Sequence, residues 1–246
     1  MQQTIGSMTV ELFVTCLVDQ FYPETGMNMI KVLEKAGAKV HYNGAQTCCG
    51  KTAFINGYWD EAKQIGEHFI LTFDTENYVV GPSGSCVAFV RDHYDKLFYN
   101  SGLHLEFKRL KNRIFELSEF LVTVLKCDDL GAELKEKAVL HDSGSGHDRQ
   151  RASDSPVRLL QHVKGLELLP YEDQNSSCGY QGIGPGQISA LAEALLKTEC
   201  EKIISLGASV MITTDTTCLL NFDTYIRKND LPLRVLHLAD VLASGY

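Results

Sequence analysis

The chain lacks the features of an exported or membrane-embedded protein. No apolar run approaches the ~20 residues that a membrane-spanning helix needs. Residues 1–7 contain no basic stretch followed by an apolar segment, so no secretory signal is expected. We therefore expect a cytoplasmic protein that is not an integral membrane protein.

The chain also lacks an excess of positive charge. It has 23 Lys and Arg against 31 Asp and Glu, which gives a formal net charge of -8. A general nucleic-acid-binding surface needs clustered Lys and Arg to neutralise phosphates, so no nucleic acid partner is expected. No flavin or nicotinamide fingerprint is evident either.

Cysteine is the residue type that stands out. In a reducing compartment, the eight cysteines are expected to be thiols or metal ligands rather than a disulfide framework. An adjacent pair lies in the motif Gln46-Thr47-Cys48-Cys49-Gly50. Cys16 lies 31 residues before this pair (positions 17 to 47), and Cys86 lies 36 residues after it (positions 50 to 85).

Strands and helices alternate around these cysteines. Strands are predicted at Met8–Thr15, Ala38–Tyr42 and Tyr78–Gly81, and a helix is predicted to begin at Pro23. Alternation of this kind is typical of a parallel sheet, whose ligands gather at the carboxyl ends of the strands. Each cysteine-bearing loop follows one of the predicted strands, so we expect these loops to meet at that edge.

A long helix is predicted from Phe107 to Leu121, and Asp128–Gly131 then breaks the apolar pattern. This break places a domain boundary near residues 126–136. We expect residues 1–130 to form a first lobe with the full cysteine set and residues 131–246 to form a second, degenerate lobe.

The second half repeats the order of the first. Further strands are predicted at Ala138–His141, Leu166–Leu169 and Val210–Thr213, and a helix is predicted with Ile188, Leu191, Ala192 and Leu195 on one face. Cys178 aligns with Cys49 at an offset of 129, and Cys218 aligns with Cys86 at an offset of 132. The predicted fold class is therefore α/β, with two pseudo-repeated lobes that face each other, each a small, mostly parallel sheet flanked by helices.

Four thiolates from Cys16, Cys48, Cys49 and Cys86 are the usual protein ligands of an iron–sulfur cluster, and they also suit zinc. Structural zinc sites usually draw ligands from tight pairs, whereas these loops are far apart in sequence, so the spacing favours a cluster. Gly50 lets the backbone approach the inorganic core. Inert buried thiols and a redox pair formed by Cys48 and Cys49 remain open alternatives.

These motifs resemble the duplicated cysteine-rich CCG domain family, which includes the B subunit of heterodisulfide reductase and the cysteine-rich subunits of glycolate oxidation. The resemblance covers essentially the whole chain and is greatest to the lactate utilization protein A branch. The residues that carry it are Cys16, Gln46–Gly50, Pro82–Cys86, His141–Ser143, Lys164–Leu168, Asp215–Asn221 and His237–Leu242.

The resemblance implies an oxidoreductase subunit of a complex that oxidises L-lactate, or a similar 2-hydroxy acid, to pyruvate. It implies electron transfer through a [4Fe-4S]-type cluster, cubane or noncubane, on Cys16, Cys48, Cys49 and Cys86. The partners it implies are a ferredoxin-like iron–sulfur subunit and a third small subunit, without which the chain is expected to be inactive.

The chain departs from the family pattern in its second half. Gly144 and Ser177 stand where family members carry cysteine. A second cluster is therefore expected to be absent, or to be held by Cys178 and Cys218 with other ligands such as His141. The alternatives to the redox subunit are a scaffold without a cluster or with zinc, and a vicinal-thiol redox protein.

Overall fold

The computed structural model describes residues 8–141, 154–171, 178–179 and 189–245. Within these ranges the chain forms two four-stranded sheets, and every strand pair in both is parallel. The sheets have the orders β2-β1-β3-β4 and β6-β5-β7-β8, so the second repeats the topology of the first. The predicted α/β fold with two pseudo-repeated lobes is confirmed.

The strands of the first sheet are β1 (Thr9–Leu12), β2 (Lys39–His41), β3 (Tyr78–Gly81) and β4 (Ile114–Glu116). The helices around it are α1 (Cys16–Phe21), α2 (Pro23–Lys35), α3 (Lys51–Ile55), α4 (Trp59–Thr72), α5 (Gly84–Phe98), α6 (His104–Lys111) and α7 (Leu117–Glu119), which continues as a π-helical turn over Phe120–Val124. Helix α2 begins at Pro23 as predicted, because the first helical turn needs no N–H from proline.

The strands of the second sheet are β5 (Lys137–His141), β6 (Glu167–Leu168), β7 (Val210–Thr213) and β8 (Arg234–His237). The described helices around it are α8 (Asp154–Gln161), α9 (Ala190–Ser205), α10 (Thr216–Lys228) and α11 (Leu238–Leu242). None of the helices in the described ranges is long and apolar enough to cross a membrane.

The prediction of one long helix from Phe107 to Leu121 is wrong. Helix α6 ends at Lys111, and the chain then enters β4, which pairs with β3 through Val79 and Ile114. The apolar side chains in this segment recur at helical spacing, but Ile114 and its neighbours gain an edge position on the sheet. Tertiary pairing therefore overrides the local pattern.

Helix α9 buries only part of the apolar face that the sequence indicates. Leu191 is 62% exposed, whereas the residues of this helix that reach the core are Ala192, Leu196, Cys200 and Ile203. Ile188, which was assigned to the same face, lies outside the described residues. The apolar stripe is therefore rotated by one position from the predicted one.

A shared apolar core joins the two lobes. It combines first-lobe residues such as Leu12, Val32 and Leu121 with second-lobe residues such as Val210 and Leu238. Helix α2 packs on α11, and α8 packs on α7. Since α8 is the counterpart of α2 and α11 is the counterpart of α7, the internal repeat relates these two contacts. Two further cores lie on the outer faces, one in each lobe.

The topology predicts where a ligand would sit in the first lobe. The connection from β1 leads to β2 on one side, and β3 lies on the other side of β1. In open parallel sheets, such a reversal opens a crevice outside the carboxyl ends of the two central strands. Cys16 follows β1 and Cys86 follows β3, so both border this crevice.

Candidate metal centre

The four predicted thiols of the first lobe come from three separate loops. Cys16 is the first residue of α1, and Cys86 lies in the first turn of α5. Cys48 and Cys49 lie between β2 and α3. Cys49 and Cys86 are buried, whereas Cys16 and Cys48 are half-buried, so the group extends from the core towards the surface.

The sulfurs of Cys16, Cys48, Cys49 and Cys86 follow one another in a hydrogen-bonded row, the thiol file. Hydrogen bonds join Cys16 to Cys48, Cys48 to Cys49, and Cys49 to Cys86. The backbone N–H of Gly50 also donates to the Cys48 sulfur at 3.4 Å. The structure thus brings together all four residues that the sequence singled out.

The direction of the pKa shift alternates along this file. Hydrogen bonds from the Cys16 and Cys49 thiols, together with the nearby Lys51 ammonium, lower the pKa of Cys48 to about 3. A hydrogen bond from Cys49 and the charge of Lys51 also lower the pKa of Cys86. The pKa values of the donating thiols, Cys16 and Cys49, are raised by the same hydrogen bonds and by burial. Along the file, cysteines whose pKa is lowered therefore alternate with cysteines whose pKa is raised.

Gly50 and Lys51 shape the entry to α3. Gly50 has φ of +84°, and a Cβ there would lie 3.1 Å from the Ala62 carbonyl oxygen. Both observations require glycine, because L residues with a side chain rarely adopt this backbone conformation. The turn places the Lys51 Nζ 2.5 Å from the Ser85 Oγ, beside the thiol file.

The inner side of the thiol file is anchored to the core of the first lobe. The Tyr94 hydroxyl donates to the carbonyl oxygen of Cys49 at 2.8 Å, and Tyr94 is fully buried. Its ring lies edge-on to Phe69, with the ring centroids 6.2 Å apart. The adjacent cysteine loop is therefore fixed from the core side.

The second lobe preserves part of this design. Gly179 follows Cys178 with φ of +66°, and the Asn221 amide donates to the Cys178 carbonyl oxygen at 2.9 Å. Cys178 and Cys218 are both buried in the outer core of this lobe. His141 is fully buried, and its ring lies against Phe222 with centroids 4.9 Å apart.

Gly144 and Ser177 lie outside the described residues. The second-lobe ligand set of Cys178 and Cys218 therefore stays a prediction.

Asp215 is a residue whose role the sequence analysis missed. One carboxylate oxygen accepts the backbone N–H of Ser85 at 2.7 Å and the Ser83 hydroxyl at 3.0 Å. The other accepts the N–H of Thr217 at 2.9 Å. An aspartate before a helix is a recognisable cap, but its reach into the other lobe has no signal in a single sequence.

The donor chemistry of the first lobe fits an iron–sulfur cluster. Four cysteines from three loops, two of them with their pKa lowered beside a lysine, are the ligand type that such clusters use. In the described ranges, no group of three or more His, Cys, Asp or Glu side chains is arranged to hold a single metal ion.

The paired sheets and the cysteine loops at their carboxyl edges define a duplicated cysteine-rich class of protein. The family model described as "Cysteine-rich domain" (CCG) matches residues 10–91 and 139–223, one range in each lobe. The second range begins 129 residues after the first (139 minus 10), which is the predicted repeat offset for the cysteine pair. The chain belongs to the CCG cysteine-rich domain family.

Its curated relatives are similar over nearly their full length. Lactate utilization protein A of Geobacillus kaustophilus is 40% identical over 236 residues, covering 96% of this chain and 98% of that protein. Lactate utilization protein A of Anoxybacillus flavithermus is 38% identical over 236 residues, covering 96% of this chain and 99% of that protein.

A solved structure shares the fold at low sequence identity. The crystal structure of a hypothetical protein from Helicobacter pylori matches with a TM-score of 0.54 and 13% identity, covering 97% of this chain. This chain spans 49% of that protein, about half its length. The likeness concerns the fold alone.

Proposed function

We propose that this chain is the iron–sulfur redox subunit of a complex that oxidises L-lactate, or a similar 2-hydroxy acid, to pyruvate. The observation that carries the proposal is the file of four thiols at the carboxyl edge of the first sheet. The substrate class is supported by curated relatives named lactate utilization protein A that match 96% of the chain.

Cys16, Cys48, Cys49 and Cys86 would hold the cluster, of [4Fe-4S] type with cubane and noncubane forms both open. When bound, such a cluster supplies one-electron transfer at a potential set by its surroundings. The lowered pKa of Cys48 and of Cys86 eases formation of the thiolate that a ligand needs. Cys16 and Cys49 hold protons that must leave before they can act as thiolate ligands.

The residues around the thiols have separate tasks. The Lys51 ammonium offsets negative charge on the cysteine sulfurs, and its hydrogen bond to Ser85 fixes the position of the ammonium. Tyr94 anchors the backbone of Cys49 from the core. Burial of Cys49 and Cys86 keeps water from the inner half of the site, which favours a stable cluster environment.

The overall reaction requires partners. Oxidation of lactate to pyruvate removes a pair of electrons and a pair of protons, whereas an iron–sulfur cluster passes electrons singly. A ferredoxin-like iron–sulfur subunit and a third small subunit would accept electrons and complete the site, so this chain would be active only within the complex.

A cytoplasmic location is supported by cysteines that are all thiols.

A second candidate function is vicinal-thiol redox chemistry. Cys48 has its pKa lowered to about 3 and stands next to the Cys49 thiol. A thiolate beside a thiol is the pair that dithiol–disulfide exchange uses. In that case the pair would be oxidised to a disulfide by a partner disulfide, which would itself be reduced to two thiols.

The variant Cys86→Ser separates these functions. After strictly anaerobic purification, it is expected to lose the colour, the bound iron and the EPR signal of the dithionite-reduced wild type. Cys127→Ser is the matched control, because Cys127 lies outside the thiol file and its sulfur donates a hydrogen bond to the nearby Asp129 carbonyl oxygen, at 3.6 Å. This control should retain all three signals.

Other outcomes contradict the redox-subunit proposal. Full disulfide exchange by Cys86→Ser would favour the vicinal-thiol function, since Cys48 and Cys49 remain. Zinc in place of iron in the wild type, or neither metal with partner binding intact, would favour a scaffold. Iron retained at the wild-type level in Cys86→Ser would exclude Cys86 as a ligand.

A further inference from the structure

The second lobe is hydrogen-bonded to the loop that leads to Cys86. Four consecutive residues of the first lobe, Pro82 to Ser85, each form a hydrogen bond with the second lobe. These bonds are His237 Nε2 to the Pro82 carbonyl oxygen at 2.6 Å, the Ser83 hydroxyl to Asp215 at 3.0 Å, the Gly84 N–H to the Thr214 carbonyl oxygen at 3.2 Å, and the Ser85 N–H to Asp215 at 2.7 Å.

Asp215 is the centre of this contact. Its two carboxylate oxygens face different helices: one accepts the N–H of Thr217 in α10, and the other accepts the N–H of Ser85 in α5. Ser83, at the N-cap position of α5, makes no capping hydrogen bond with its own side chain. The cap of α5 therefore comes from the other lobe, and α5 is the helix whose first turn carries Cys86.

The contact also follows the internal repeat. Asp215 lies 132 positions after Ser83, the offset that relates Cys218 to Cys86. Equivalent positions of the two lobes thus bind each other, and only one of them carries a carboxylate. A second carboxylate at position 83 would face Asp215 at hydrogen-bonding distance, so the serine avoids a repulsion between like charges.

We propose that Asp215 is a positioning residue for the thiol site of the first lobe, because its carboxylate fixes the first turn of α5 and hence the place of Cys86. The site would then be incomplete without the second lobe, whatever that lobe itself binds. The inference rests on the proposed function only in treating Cys86 as a cluster ligand.

The charge of Asp215 is suited to this task. Asp215 is 1% exposed, and although burial opposes its charged form, the Lys51 ammonium and the hydrogen bonds from Ser85 and Thr217 hold its pKa below the usual range. A charged acceptor binds helix N-terminal N–H groups more strongly than a neutral one. Lys51, which also contacts Ser85, joins Asp215 and the thiols in one electrostatic unit.

The test is residue-resolved alkylation of metal-free, reduced protein under anaerobic conditions, read by mass spectrometry. In Asp215→Asn the amide presents N–H groups towards the N–H of Ser85, so the loop should open more often. Cys86 should react at least about tenfold faster than in the wild type, while Cys200, buried in α9, should react at an unchanged rate.

Two further variants calibrate the result. Ser83→Ala removes a single donor to Asp215 and should accelerate Cys86 by a smaller factor, about threefold. It keeps the test valid where Asp215→Asn folds poorly. Asp240→Asn is the matched control: Asp240 also accepts two hydrogen bonds across the lobes, from Thr25 and Asn28 at 3.0 Å each, and these bonds do not involve residues 82–86. It should leave Cys86 at the wild-type rate.

The proposal is overturned if Cys86 reacts at the wild-type rate in both Asp215→Asn and Ser83→Ala. It is also overturned if Cys86 and Cys200 accelerate by the same factor, because the change would then be global destabilisation. The alkylation uses metal-free protein, so these outcomes are distinct from a failure of the proposed function. A wild type that takes up no iron would contradict that function while the Cys86 comparison could still hold.

Discussion

The two lobes share a scaffold and differ in what they place on it. Each has a glycine with positive φ after its central cysteine, and in each the helix after the third strand donates to that cysteine's carbonyl oxygen. The first lobe adds the file of four thiols, whereas the second lobe sends Asp215 and His237 into its neighbour. The second lobe thus contacts the loop of the first lobe that leads to Cys86.

The two lobes also differ in the cap of their last helix. Glu116 accepts the N–H of Ser118 at the start of α7, and His237 accepts the N–H of Ala239 at the start of α11. Both caps are buried and titratable, but one is an acid and the other a base. The repeat therefore keeps the capping geometry while it changes the charge chemistry.

The largest expected difference between the lobes concerns iron. Cys48→Ser removes a thiolate from the middle of the file and should abolish iron binding. Cys178→Ser changes the equivalent region of the second lobe and should keep the wild-type iron content. Because Cys178 is buried, this variant should lose only about 1–2 kcal/mol of stability. Iron and acid-labile sulfide analysis of both variants checks this. Equal loss in the two would mean that both lobes bind.

The glycines that follow the cysteines provide the next comparison. Alanine at Gly50 or Gly179 should cost about 1–2 kcal/mol for the left-handed backbone. At Gly179 a Cβ would also lie 2.6 Å from the Ala192 Cβ, so overpacking should add about 1–3 kcal/mol. Urea unfolding of both variants measures these losses.

Iron content should respond in the opposite order. Gly50→Ala distorts the turn next to the thiol file and should lower iron retention, whereas Gly179→Ala should leave it unchanged. Lower retention in Gly179→Ala alone would contradict the assignment of the site to the first lobe.

The acidic cap should give the protein a pH-dependent stability. Burial raises the pKa of Glu116 from 4.5 to about 7, so the folded state holds a proton that the unfolded state releases above about pH 4.5. The stability that this proton contributes is fully present below 4.5 and is lost as the pH rises through about 7. Relative to Glu116→Gln, the wild type should lose about 2–3 kcal/mol between pH 5 and pH 8. Chemical denaturation at both pH values measures this loss.

The basic cap should give a pH dependence of the opposite sign. Burial lowers the pKa of His237 below 6.5, so its contribution is present above 6.5 and is lost as the pH falls below that value towards the folded pKa. His237→Gln should remove this dependence and cost about 1 kcal/mol at pH 8 through the weakened bond to Pro82. The same pH dependence in both variants and the wild type would contradict these assignments.

The sequence predicted the elements that periodicity and turn chemistry control. Tyr78–Gly81 and Val210–Thr213 are strands with the predicted bounds, and the cysteine loops meet at one edge because parallel topology requires it. Strand β4 was missed, and no strand was predicted for the residues before Leu238, which form β8. A run of three or four residues is too short for its periodicity to separate a strand from a helix.

The contact network of Asp215 could not be predicted in this way. Its partners Ser83 and Ser85 lie 132 and 130 positions away, in the other lobe. Such contacts depend on how two lobes pack, and no local propensity or spacing encodes that geometry. The alternation of raised and lowered cysteine pKa values has the same origin, since it follows from distances between side chains rather than from their order.

The most direct test of the cluster assignment is the iron and acid-labile sulfide content of strictly anaerobic wild-type protein, with an EPR spectrum after reduction. About four irons and four sulfides per chain, with a reduced-cluster signal, are expected for one [4Fe-4S]-type site in the first lobe. About eight of each would mean that the second lobe binds a cluster as well. No iron in the anaerobic protein would contradict the redox-subunit assignment.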